Sequence, residues 1–236
     1  MNKLRLVMVT GSVLACAGMT FSFGVKSYAV PAPSFNLVND GGFEDPFVGG
    51  AFNTYNGGDT FGGWTVNGGG VDLINTYWTS AEGVQSVDLN ATSPGGVSQN
   101  VGGLIVGQRY QLSFWLAGNP AGGPTIKSLQ TSLGGNVLGT NNFDITGKST
   151  SDMGWTEYTY NFTAANESTN LSFDSLTTDA CTGASSLSAC GPALDNVSIR
   201  AVPEAATTVT ALAYVLLTGL VLLVRNRKRA TVKASV

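Results

Sequence analysis

Asn75, Tyr77, Trp78, Glu82 and Gln85 fall within eleven consecutive residues. Two aromatic rings there stand beside two amides and a carboxylate. Rings cover the apolar side of a pyranose while amides and carboxylates hydrogen-bond its hydroxyls, so the set carries the chemistry of sugar recognition. Trp64 and Trp155 each follow a glycine and read instead as corner or core residues. For Trp78, internal packing and ligand contact stand equally open.

Other chemistry is thinner. Glu82, Asp88 and Glu157 could supply the paired carboxylates of glycoside hydrolysis, yet nothing in their spacing singles out a pair. The chain has no histidine, which removes the commonest general base and any Ser-His-Asp arrangement. No glycine-rich phosphate loop leads from a strand into a helix, so nucleotide chemistry has no place to occur. The sequence reads as non-catalytic. Cys181 and Cys190 lie nine apart in a loop rich in Gly, Ser and Thr. Two thiols without a histidine make a poor zinc site, and outside the cytoplasm the pair reads as a disulfide.

The elements that must position these residues are short strands. Tyr110, Leu112, Phe114 and Leu116 alternate with Gln111, Ser113 and Trp115, and Tyr158, Tyr160 and Phe162 repeat the pattern. Val87 with Leu89, Val97 with Val101, Leu171 with Phe173 and Val197 with Ile199 supply further inward pairs. A period of two between Gly, Asn, Ser and Thr punctuation is the signature of a half-buried strand. Two antiparallel sheets packed face to face would bury all of these residues, so residues 30–201 are expected to form one all-β sandwich.

The ends carry targeting signals rather than fold. Lys3 and Arg5 precede an apolar run, and the small residues Ser27 and Ala29 predict a signal peptide over residues 1–29. Cys16 offers a lipoprotein-type cut instead, but Leu14 fits that site poorly. Residues 206–224 hold no charge across 19 positions, a length that as a helix rises about 28 Å and suits a bilayer core. Arg225, Arg227, Lys228 and Arg229 follow, which places the tail, residues 230–236, in the cytoplasm. All 15 acidic residues lie between Asp40 and Glu204, whereas only four of the 12 basic residues do. A segment so negative repels phosphate backbones and excludes nucleic acid as a partner.

Five ordered blocks carry a family resemblance: NLVNDGGFEDP at 36–46, GGWTVNGGGVDLINTYWTSAEGVQSVDLN at 62–90, SFWLAGNPAGGPTIKSL at 113–129, FDITGKSTSDMGWTEYTYNFTA at 143–164 and GPALDNVSI at 191–199. The chain resembles the choice-of-anchor C family of exported proteins. It is more distantly similar to a plant cell-wall domain of unknown function and to jelly-roll carbohydrate-binding modules. The resemblance implies a galactose-binding-like jelly roll and extracellular polysaccharide as partner, with a purely structural or adhesive surface protein as the alternative and a glycosidase behind both. It also implies a structural Ca²⁺ held by Glu44 of the opening GGFE segment and Asp195 of the closing strand; strand-end carboxylates accepting backbone hydrogen bonds are the other reading. Residues 202–229 are similar to a PEP-CTERM sorting signal, with Val202, Pro203 and Glu204 followed by the apolar span and the arginine cluster. Ala205 departs from that pattern, where a second proline is usual. Signal peptidase and an exosortase are the processing partners this implies, with a plain single-pass anchor as the alternative.

Overall fold

The computed structural model describes residues 35–178 and 190–203. The expected signal peptide, the span at 206–224, Glu204 of the sorting signal and Cys181 lie outside the described residues. Among those described, no helix is long and apolar enough to cross a membrane.

Twelve strands follow in chain order: β1 (Phe52–Tyr55), β2 (Thr60–Phe61), β3 (Trp64–Gly68), β4 (Val71–Ile74), β5 (Ser86–Asp88), β6 (Gly95–Gly102), β7 (Arg109–Gly118), β8 (Ile126–Leu133), β9 (Asn136–Asp144), β10 (Thr156–Thr163), β11 (Ser168–Ser175) and β12 (Pro192–Ala201). They form two antiparallel six-stranded sheets, one ordered β1-β4-β5-β12-β7-β10 and the other β2-β3-β6-β11-β8-β9. This is the expected all-β sandwich.

The alternation read in the sequence is the alternation of burial. Tyr110, Leu112, Phe114 and Leu116 of β7 are all buried, and the rings of Tyr158, Tyr160 and Phe162 on neighbouring β10 stack on Phe114 and Tyr110. Val97 and Val101 of β6, with Leu171 and Phe173 of β11, face them from the second sheet. Trp64 is fully buried between Phe43 and Phe173. Burial of each such side chain contributes about 1.5–3 kcal/mol, which makes this stripe the main source of stability.

One irregularity positions the site. In β12 the register shifts between Asp195 and Ser198, and Asn196 adopts a positive φ of 47°. The extra residue of this bulge separates inward-facing Leu194 and Val197 by three positions and keeps Val197 and Ile199 in the core. The opening segment lies against the same half of β12. Asn36 accepts from Val38 N and Ile199 N and donates to Val197 O, and Leu37 N donates to Ile199 O.

Candidate functional site

The loop after β4 is held from beneath by its own side chains. Gln85 is fully buried; it accepts from Val48 N at 2.6 Å and donates to Phe43 O and Pro46 O at 2.7 and 3.1 Å. Trp78 is 4% exposed, and its indole donates to Ser86 Oγ at 2.8 Å. Both were candidate ligand contacts, and both are framework: with their polar atoms paired and no surface to offer, neither can meet a sugar. Asn75 is half-buried and donates to Val48 O. Tyr77 and Glu82 remain at the surface. Tyr77 is 37% exposed and meets the edge of Phe52, itself 46% exposed, at a ring separation of 6.2 Å. Phe52 was not singled out in the sequence, because its place beside Tyr77 comes from the pairing of β1 with β4.

Two acidic residues hold the second half of the loop, residues 81–85. Glu44 accepts from Val84 N and Gln85 N at 2.8 and 3.0 Å. Asp195, carried by the bulge, accepts from Ala81 N, Glu82 N and Asn196 N at 2.8, 3.0 and 2.6 Å. Gly83 must be glycine, since its φ is +58° and a Cβ would collide with the Glu44 carboxylate. Burial pushes the Asp195 carboxyl up to about 7, the three N–H donors opposing it only in part.

Calcium needs six to eight oxygen ligands. Here five backbone N–H groups point at Glu44 and Asp195, and their partial positive charge repels a cation. Among the described residues, no group of three or more acidic, His or Cys side chains converges. As folded, both carboxylates accept backbone hydrogen bonds, the other reading of these two residues.

Of the carboxylates considered for hydrolysis, Asp88 and Glu157 do not assemble into a pair. Asp88 is buried and opposite Ala193, which pairs with Ala117, while Glu157 lies opposite Trp115 on the far strand. Three strand spacings separate the two strands, about 14 Å, and glycosidase pairs span at most about 9.5 Å.

A groove of about 770 Å³ opens elsewhere, between residues 35–39 and the outward positions of β3, β6 and β11. Its walls include Phe35, 63% exposed, with Asn39, Thr65, Ser98, Asn100 and Asn170. Asn100 and Asn170 are direct cross-strand partners, as are Thr65 and Ser98.

Residues 36–200 match the family described as "Protein of unknown function (DUF642)". The chain belongs to the DUF642 family. The matched span begins at Asn36 and ends in β12, so the unit that defines DUF642 is the sandwich from its pinned opening segment to its closing strand. Halomucin of Haloquadratum walsbyi is 34% identical over 202 residues, covering 84% of this chain and 2% of that much longer protein. Among solved structures, similarity extends to a family 35 carbohydrate binding module from Clostridium thermocellum, at TM-score 0.40 and 16% identity over 64% of this chain and 98% of the module. A TmCBM61 module in complex with β-1,4-galactotriose is similar at TM-score 0.43 and 19% identity, over 72% of this chain and all of the module.

Sequence reasoning missed the groove entirely. The signal available was the run of outward polar positions in β6 and β11, which alternation alone assigns to solvent.

Proposed function

We propose that this chain is an exported, non-catalytic surface or matrix protein that binds or organises extracellular polysaccharide. The observation that carries the reading is the exposed Phe52–Tyr77 pair, one ring on β1 and the other on a loop that Glu44, Gln85 and Asp195 hold in place. Exposed rings on a pre-ordered loop cover the apolar face of a sugar at little entropic cost. Exposed Glu82 and half-buried Asn75 belong to the same loop and supply hydrogen-bonding groups for hydroxyls.

The finer assignments belong to the same reading. Residues 1–29 direct export and are removed by signal peptidase, Cys181 and Cys190 pair outside the cytoplasm, and residues 202–229 tether the protein in the manner of a choice-of-anchor C protein with a PEP-CTERM-like signal. An exosortase processes that signal despite Ala205. Intact-mass measurement of the cell-derived protein reads the two cuts and the loss of two hydrogens at the cysteines.

The binding itself is tested by affinity electrophoresis of the full chain through gels containing xylan, β-1,4-galactan or polygalacturonate. Retention by at least one glycan is expected, and Tyr77→Ala or Phe52→Ala should weaken it roughly fivefold or more. Unretarded migration of the wild-type chain in every gel would leave the structural or adhesive reading in its place.

A further inference from the structure

The groove at residues 35–39 shares none of its walls with the Phe52–Tyr77 platform. Phe52 belongs to the edge of one sheet, whereas Thr65, Ser98, Asn100 and Asn170 belong to the other. Its chemistry is specific. Every wall residue is uncharged, in a segment whose acidic residues greatly outnumber its basic ones. Neither a cation nor an anion finds a counter-charge there.

The polar side chains of the groove are also available. Among the described residues, Asn39, Thr65, Asn100 and Asn170 have no side-chain hydrogen-bond partner, unlike the neighbouring Asn36 and Gln99, whose amides hold the opening segment. Each amide offers two donors and a two-lone-pair acceptor. That combination matches a vicinal hydroxyl pair, which both donates and accepts. Strand pairing fixes Asn100 directly opposite Asn170, so two amides face outward about one strand spacing apart, near 4.8 Å. The exposed ring of Phe35 lines the groove, and the volume lies in the range of small-ligand sites, about 300–1,000 Å³.

We propose that this groove is a second glycan-binding site, selective for an uncharged sugar segment. The segment packs its apolar face on Phe35 and hydrogen-bonds its hydroxyls to Asn39, Asn100, Asn170 and Thr65. The inference rests on the polysaccharide-binding reading and adds to it a second site and a ligand class. With sites on two different sheets, one domain bridges two neutral polysaccharide chains. Binding to a single long chain at both sites also gains avidity, because the second contact becomes intramolecular.

The test uses the full chain with the same three glycans, read by gel retardation and by turbidity of the glycan solution. The groove variants are Phe35→Ala, the double substitution Asn100→Ala with Asn170→Ala, and the near-isosteric Asn100→Asp, which removes an amide donor without changing shape. All three positions are solvent-facing, and unchanged melting certifies the fold. Losing the Phe35 ring or the amide hydrogen bonds should weaken retention by xylan or galactan roughly fivefold or more. The same variants should abolish the turbidity that the wild-type chain produces, while Tyr77→Ala leaves groove binding measurable. Groove variants that are retained and cross-link like the wild type overturn the second site and leave the platform standing. Loss of all binding in Tyr77→Ala does the same. Indifference to Tyr77→Ala and Phe52→Ala, with loss in the groove variants, removes the platform and keeps the groove. Stronger retention by polygalacturonate than by neutral glycans overturns the selectivity.

Discussion

Lys127 and Asp88 hold opposite ends of one peptide group. The Lys127 ammonium donates to Cys190 O at 2.7 Å, and the N–H of the same peptide, on Gly191, donates to Asp88 Oδ1 at 3.0 Å. Both side chains are buried. Lys127 also donates to Gly122 O, and Asp88 accepts from Asn90 N and Asn119 Nδ2. The two charges thus fix the start of β12, the strand that carries Asp195. Replacing Lys127 by Met keeps the bulk and removes the ammonium donor from the buried Cys190 carbonyl and the partly buried Gly122 carbonyl. The variant should lose about 1–3 kcal/mol in urea unfolding at neutral pH. Equal stability would mean that desolvation of the ammonium cancels its hydrogen bonds.

Acid should stabilise this domain. Burial pushes Asp88 and Asp195 up to about 7, against an ordinary aspartate near 3.8, and it raises Asp40 and Asp72 as well. A carboxyl whose pKa is raised by folding contributes stability that is complete below its unfolded pKa and lost as pH climbs through its folded one. Burial lowers Lys127 to about 8, so its contribution is present only above 10.5 and already absent below 8; it does not vary across the acid window. Exposed Asp144 shifts the opposite way and acts only below the ordinary carboxylate range. The melting temperature should therefore rise as pH falls from 8 toward 4. A flat or falling profile would place solvent or a cation against Asp88 and Asp195.

Chelation should leave melting unchanged, because Glu44 and Asp195 are satisfied by backbone N–H groups. Thermal unfolding with EDTA and with added Ca²⁺ checks this. A drop reversed by Ca²⁺ would show that an ion displaces those donors in solution, as the family resemblance implies.

Gln85→Leu should be among the most damaging single changes. It leaves Val48 N, Phe43 O and Pro46 O without their partner beneath the loop. A loss of about 3 kcal/mol or more is expected, since each stranded buried group costs about 1–3 kcal/mol. Glycan retention should fall with it, as the loop under Tyr77 loosens.

The sandwich was legible because its core is written locally. Tyr110 to Leu116 alternate within seven residues, and burial follows that alternation without help from distant sequence. The loop site was only half legible. Tyr77 and Trp78 are neighbours of like chemistry, yet Ser86 takes the Trp78 indole inward while Tyr77 is left beside Phe52. Gln85 reads as a surface amide until the opening segment is folded over it. Asp195 and Glu44 were found through their motifs, but their partners are backbone groups of a loop more than 100 and about 40 residues away. The groove was invisible because Phe35 and Asn170, 135 residues apart, come together only when the opening segment folds beside β3, β6 and β11.

That meeting, made by Asn36 and Leu37 against Val197 and Ile199, places the points where the chain enters and leaves the sandwich side by side. A domain with adjoining ends behaves as a bead hung on a thread: it can be spliced into a far longer polypeptide without parting the host's own ends. It adds bulk to such a chain while adding almost nothing to its contour length.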